Sequence, residues 1–495
     1  MATDPRQFVL LAIALAVPLV AFLLDRTKLV LAWVGFTLFV QIFDTTILTN
    51  LPAGRLIGLL YLPTAIRLFH RWKNLPPARM WLINFLYLAA LGVVFGFIIP
   101  WPDTAGDRPL QLRAEGRAVI YLVRTIADMS LAVFVMTQLV RPGYFEVLRK
   151  WMVRGAVVTS AAGLLALALG VDFYTTITGL RAYAATDFRP RGLAFEARGL
   201  GLACAYGLVV ILGKRTRTVP EWLALFVITA GLLVSASSTG LAAAIGGLIA
   251  VAIIGSGRTR LAMVMTMVTI VLTVVIAQVA APEVVERSRN AVESRLSGRG
   301  TVESNTADNV FEVLALRMDV FDSAATLFLS HNPLYAVIGT GPGLISLPAT
   351  EYVPAGVYKW VFPRIDNPPS HGVLLELSNT GILGLTLWIM QVLIIVAAGR
   401  RLCKHRRLPF PPQAATVIFF GGAALYSIQV SPSPYWGVFL GMGWAIYEVS
   451  LTVAARSATT PHPSKRGETP ARRHSAPAHN PQPTAGAATV PSTPS

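Results

Sequence analysis

Residues 371–399 read HGVLLELSNTGILGLTLWIMQVLIIVAAG, and this stretch decides the fold. A run of this length spans a hydrocarbon core at about 1.5 Å per residue. It carries a single carboxylate, Glu376, and opens on the ionisable His371. Working outward, comparable runs recur near 8–24, 29–48, 55–69, 80–99, 118–140, 151–171, 192–212, 221–237, 240–255, 260–281, 412–430 and 434–455. With 54% hydrophobic and 14% charged residues and a mean hydropathy of +0.59, the composition excludes a soluble domain. In lipid the backbone must satisfy its own hydrogen bonds, so runs this long are helices. The sequence therefore predicts an all-α polytopic membrane protein with about 12–13 transmembrane helices. The 55–69 run is short and contains Pro63. If it is re-entrant, Met1 lies inside; if it is a full traverse, Met1 lies outside.

Basic residues set the orientation. Arg67, Arg71, Lys73 and Arg79 share one loop, and Arg141, Arg149, Lys150 and Arg154 share another. Lys214, Arg215 and Arg217, then Arg258 and Arg260, then the 400–407 cluster follow in alternate loops. These loops are cytoplasmic. The other face receives 100–117, 172–191, 282–370 and 431–433, of which 282–370 holds ten acidic and seven basic residues. The expected organisation is an N-terminal bundle over 1–281, a large periplasmic loop over 282–370, C-terminal helices over 371–455 and a disordered cytoplasmic tail over 456–495. That tail is rich in Pro, Ala, Thr and Ser, a composition that cannot bury a core. The net charge of +17 follows from membrane-flanking loops and the tail, so no nucleic-acid partner is implied. Cys204 sits in an apolar run and Cys403 in a cytoplasmic loop, so no disulfide framework is expected.

Four places carry chemistry. His371 stands at the outer mouth of a span, where a neutral imidazole can take a proton from a hydroxyl too weakly acidic to attack unaided; its structural alternative is an anchor bonded to loop backbone. Arg189, Arg191 and Arg198 surround the start of another span, and guanidinium forks suit diphosphate oxygens. Glu196 is expected to pair with a neighbouring Arg, leaving Arg189 and Arg191 available. In the large loop, Arg317 heads a segment with Val320, Phe321, Ala324 and Leu327 on one side, the pattern of an amphipathic external helix. Gly339-Thr-Gly341-Pro-Gly343 follows it, a tight turn and by itself a weak phosphate-loop signal. Arg124 and Asp128 are spaced i to i+4 and can neutralise each other. The small polar turn Ser235–Gly240 suits close helix packing. No metal-ligand spacing stands out, so metal-free chemistry is expected.

Together these segments resemble the O-antigen ligase and polysaccharide polymerase superfamily of bacterial inner-membrane proteins. The resemblance rests on Arg189-x-x-Gly192-x-x-Phe195 followed by the Ser235–Gly240 turn, and on Arg317-x-x-x-Phe321 with Asn332-Pro333 and the Gly-rich turn. It rests also on Ser370-His371 with Gly381-x-x-Gly384. The chain departs from the family pattern at Gly372, where Asn, Ser or Gln is common, and at Phe321, where Trp is common. The resemblance implies a C-type glycosyltransferase fold that moves a glycan from undecaprenyl diphosphate to an acceptor glycan or lipid A-core, without metal or cofactor and with inversion. It implies His371 and Arg317 as catalytic residues and Arg189, Arg191 and Arg198 as diphosphate ligands. The alternative is a transporter of a lipid-linked or anionic substrate. Transporters often show two similar halves, and this chain, with its large loop late, shows none.

Overall fold

The computed structural model describes residues 4–44, 52–99, 113–180, 190–214, 217–235, 237–255, 320–352, 369–405, 408–429 and 435–459, with scattered positions between 257 and 286. Every regular element among them is helical. The N-terminal bundle holds α1 (Pro5–Leu23), α2 (Thr27–Thr37), α3 (Ala53–Arg67), α4 (Phe69–Trp72), α5 (Pro76–Val93), α6 (Ala114–Leu139), α7 (Tyr144–Leu169), α8 (Phe173–Thr178), α9 (Ala197–Leu212), α10 (Val219–Val234) and α11 (Ser238–Ile254). The large loop supplies α12 (Val320–His331) and α13 (Pro333–Ile338), and α14 (Gly372–Leu402), α15 (Pro412–Ile428) and α16 (Tyr435–Thr459) complete the chain. Among the described residues six helices are long and apolar enough to cross a membrane, and five apolar helices are shorter. Phe97, Ile98, Leu86 and Leu393 are exposed, the side chains a lipid-facing surface presents. This is an all-α polytopic membrane protein. The 260–281 run, the start of the large loop and the tail lie mostly outside the described residues.

Side-chain pairs fix the directions of the helices. Arg55 meets Asp128, and Tyr61 bonds to Thr137, so α3 runs parallel to α6. The Ala53 N–H donates to Asp44, tying the start of α3 to the short helical turn after α2. These contacts make α3 a traverse. At the start of α1, Arg6 and Gln7 donate to the carbonyls of Thr176 and Thr178 in α8. The N-terminus therefore lies at the end of the bundle that carries α8, which the basic loops assign to the outside. Ser235–Gly240 brings α11 onto α9: a Cβ on Gly240 would stand 2.6 Å from Gly201 Cα.

Helix α14 is broken at Gly381, whose φ of 64° and ψ of −162° interrupt the helix. The break frees the carbonyls of Ser378 and Asn379 from their helical partners. The Gly-rich turn caps both: Thr340 N–H donates to Ser378 O at 2.7 Å, and Gly341 N–H to Asn379 O at 3.1 Å. Gly343 N–H donates to Asn379 Oδ1 at 3.1 Å. Gly339, Gly341 and Gly343 all have positive φ, which L side chains resist. Thus the amides that a phosphate loop would turn toward an anion are spent on α14.

Candidate functional site

His371 is the residue preceding the first turn of α14, and Leu375 N–H closes that turn on its carbonyl at 2.8 Å. Its neighbour Gly372 lets α15 approach, since a Cβ there would lie 2.3 Å from Tyr426 O. That close approach gives a steric reason for glycine at this departure from the family pattern. The imidazole is 35% exposed, and its Nδ1 lies 3.5 Å from Asp322 Oδ2. Asp322, on α12, is fully buried. Its carboxylate accepts the Ser370 N–H at 2.6 Å on Oδ1 and the Ser370 hydroxyl on Oδ2. The loop before His371 is therefore clamped to α12 by a carboxylate whose second oxygen faces the imidazole.

Burial of Asp322 follows from the packing of α12. Ala324, Ala325, Phe328 and Leu329 form a core with Ile345 and Ala349, against which Tyr335, Leu374 and Leu377 pack. The helix expected from Val320, Phe321, Ala324 and Leu327 is present, but its buried face is turned onto α13 and α14. Sequence reading passed over Asp322 because an acidic residue in a polar loop reads as solvated. The i+3 and i+7 spacing of Ala325 and Leu329 from Asp322 places all three on one face, the one signal that could have found it.

The predicted arginines are placed differently. Arg191 precedes α9 and is 4% exposed. Its guanidinium bonds Asp172 through Nε at 3.0 Å and a terminal nitrogen at 2.7 Å. It also donates to Thr175 Oγ1, Phe195 O and Leu180 O, and stacks over Tyr174 at 4.6 Å. Sequence analysis left Arg191 available to an anion; the structure commits it to Asp172. Burial alone raises the Asp172 pKa, but bonds from Arg191 and Thr175 outweigh that and hold it below the usual carboxylate value. Arg198 is 36% exposed, with Nε 3.7 Å from Glu196, a loose pair that leaves donors toward solvent. Arg189 and Arg317 lie outside the described residues.

Within the bundle, Asp128 takes a two-pronged pair from Arg55 at 2.9 and 3.0 Å, a partner that the spacing to Arg124 did not foretell. Both α9 and α14 run antiparallel to α15: Gly213 and Gly399 each sit against its N-terminal part, at Ile418 and Thr416. The starts of α9 and α14 are accordingly at the same end, so the described Arg191, Arg198 and His371 share one face of the membrane bundle. Among the described residues, no group of three or more His, Cys, Asp or Glu is arranged to hold a metal. No curated protein matches the chain. Residues 223–389, which contain the Ser235–Gly240 turn, the capped break in α14 and His371, match the family described as O-antigen ligase, and this match supports the resemblance to the O-antigen ligase and polysaccharide polymerase superfamily.

Proposed function

We propose that this protein transfers a glycan from undecaprenyl diphosphate to an acceptor hydroxyl at the periplasmic face of the bacterial inner membrane, as a step in surface polysaccharide assembly. The observation that carries the proposal is the pairing of His371 with the buried Asp322 carboxylate. A carboxylate beside Nδ1 keeps the ring proton on that nitrogen and leaves the Nε2 lone pair as a base. Substrate closing on the site shortens the 3.5 Å separation to a full hydrogen bond.

In the reaction, the acceptor oxygen forms a bond to the anomeric carbon as its proton passes to Nε2. The bond from that carbon to the diphosphate oxygen breaks, the electron pair leaves with the lipid diphosphate, and the configuration inverts. Arg317, Arg189 and Arg198 hold the diphosphate and stabilise the charge that grows on it. Arg191, bonded to Asp172, serves as an anchor ahead of α9. Acceptors of this chemistry are a lipid A-core sugar or a second lipid-linked repeat. Against a transporter stands the α14 break: broken helices of transporters leave carbonyls to line a path, whereas here loop amides cap those of Ser378 and Asn379.

The test is transfer by the purified protein from a lipid-linked glycan to lipid A-core or to a second donor molecule. His371→Ala abolishes transfer at unchanged membrane insertion; transfer by this variant at near wild-type rate removes the proposal.

A further inference from the structure

Beneath the loop that caps α14 lies a cavity of about 90 Å³ between α5, α6, α14, α15 and α16. Glu376 in its wall is about one and a half helical turns along α14 from His371. That volume holds roughly six or more waters, space on the scale of one sugar ring. The wall contains two carboxyls, Asp128 and Glu376, and no basic side chain. Asp128 is neutralised by Arg55, and Glu376 accepts from the Tyr426 hydroxyl at 3.1 Å. Such a wall repels diphosphate and favours groups that donate hydrogen bonds.

Two further features point to a ligand. Asn84 Oδ1 and Trp388 Nε1 are buried in side chains of the wall, and neither has a hydrogen-bond partner among the described residues. Both atoms are occluded in this conformation, and buried polar groups are ordinarily satisfied, so a turn of either side chain toward the cavity would bring a free acceptor or donor to a ligand there. Trp388, Trp436 and Tyr426 form an aromatic cluster, with Trp436 and Tyr426 stacked at 4.9 Å. Flat apolar faces next to amides and carboxylates match the alternating C–H faces and hydroxyl edges of a pyranose.

We propose that this cavity binds one uncharged pyranose ring of the lipid-linked glycan or of its acceptor, with Glu376 and Asn84 accepting from ring hydroxyls, Trp388 Nε1 donating to a ring oxygen and the indoles stacking on its face. The assignment of the sugar as substrate rests on the glycosyltransferase reading, whereas binding itself does not require transfer. It divides the substrate by charge: diphosphate at the arginines, sugar in the acidic cavity.

The test titrates the tryptophan emission of the full-length protein in lipid nanodiscs with the methyl glycosides of glucose, galactose and N-acetylglucosamine, and with pyrophosphate. At least one glycoside should give a saturable change that pyrophosphate does not. Binding should weaken at least tenfold in Glu376→Gln and in Trp388→Phe, the latter keeping an aromatic face while losing the donor; circular dichroism confirms that each variant is folded. No saturable response to any glycoside, a cavity holding water alone, overturns the proposal, as does wild-type affinity in both variants. His371→Ala separates the two readings. Retained glycoside binding with transfer lost supports both, and unchanged transfer by that variant sinks the base assignment while leaving the sugar site standing.

Discussion

Replacing Asp322 by Asn tests the His371 pairing with almost no change in shape. One oxygen of Asp322 accepts the Ser370 N–H at 2.6 Å, and the other accepts the Ser370 hydroxyl and faces His371 Nδ1 at 3.5 Å. An Asn placed with its NH₂ toward the Ser370 N–H would oppose two donors at that short distance, so the amide oxygen must stay there. The NH₂ then faces Nδ1 and draws the imidazole into the tautomer with its proton on Nε2, which has no lone pair to act as base. A positioned general base contributes about 100- to 10,000-fold in rate, roughly 2.7 to 5.5 kcal/mol of barrier. Asp322→Asn should therefore lower kcat by about that factor with KM nearly unchanged, because the arginines proposed to hold the diphosphate are untouched. The assay is single-turnover transfer of glycan from lipid diphosphate to acceptor, followed by gel mobility. If Asp322→Asn keeps kcat within about threefold of wild type, the carboxylate only fastens the loop and the tautomer argument is wrong. A rise in KM alone would point the same way.

Other perturbations have defined outcomes. Arg317→Lys keeps the charge and loses the planar fork; transfer should fall sharply, and equal activity in the lysine variant would reduce this residue to bulk electrostatics. Arg191→Ala leaves the Asp172 carboxylate without its guanidinium, and breaking a buried pair costs about 3 kcal/mol or more; protease cleavage near residues 172–180 in proteoliposomes should accelerate, and unchanged cleavage would mean that the lock does not hold the loop. The same pair sets a pH dependence. Because the folded Asp172 pKa is lowered, its contribution is complete above the unfolded value of about 3.9 and is lost as pH falls through the folded one. Protection of that loop should therefore be flat from neutral pH to about pH 5 and fail only in stronger acid; loss of protection already at pH 6 would contradict it. Gly381→Ala places a Cβ 2.1 Å from Val337 O at a φ of 64° and ψ of −162°, a region essentially confined to glycine that costs about 1 to 3 kcal/mol before the clash is counted; the thermal midpoint should drop and α12 and α13 should loosen in hydrogen exchange.

Composition and the length of apolar runs by themselves established a helical membrane protein, because lipid leaves the backbone no other way to satisfy its hydrogen bonds. The alternation of basic loops predicts an orientation, and a His at the mouth of a span nominates a centre for the site. These signals are local: each is written in consecutive residues and survives without knowledge of neighbours. What Asp322 does is not of that kind. Its burial depends on α12 lying against α13 and α14, and its proximity to His371 spans a separation that no periodicity encodes. The same holds for Arg191, which reads in the chain as an available cation until Asp172, Thr175 and Tyr174 fold around it, and for Asp128, to which α3 brings Arg55. The glycines of the 339–343 turn announced a sharp bend but not its purpose, which is to cap carbonyls freed by a break in a distant helix. Pairing of charges and capping of orphaned backbone are settled by proximity in space, where electrostatic and hydrogen-bond energies act, and tertiary structure alone decides who is near.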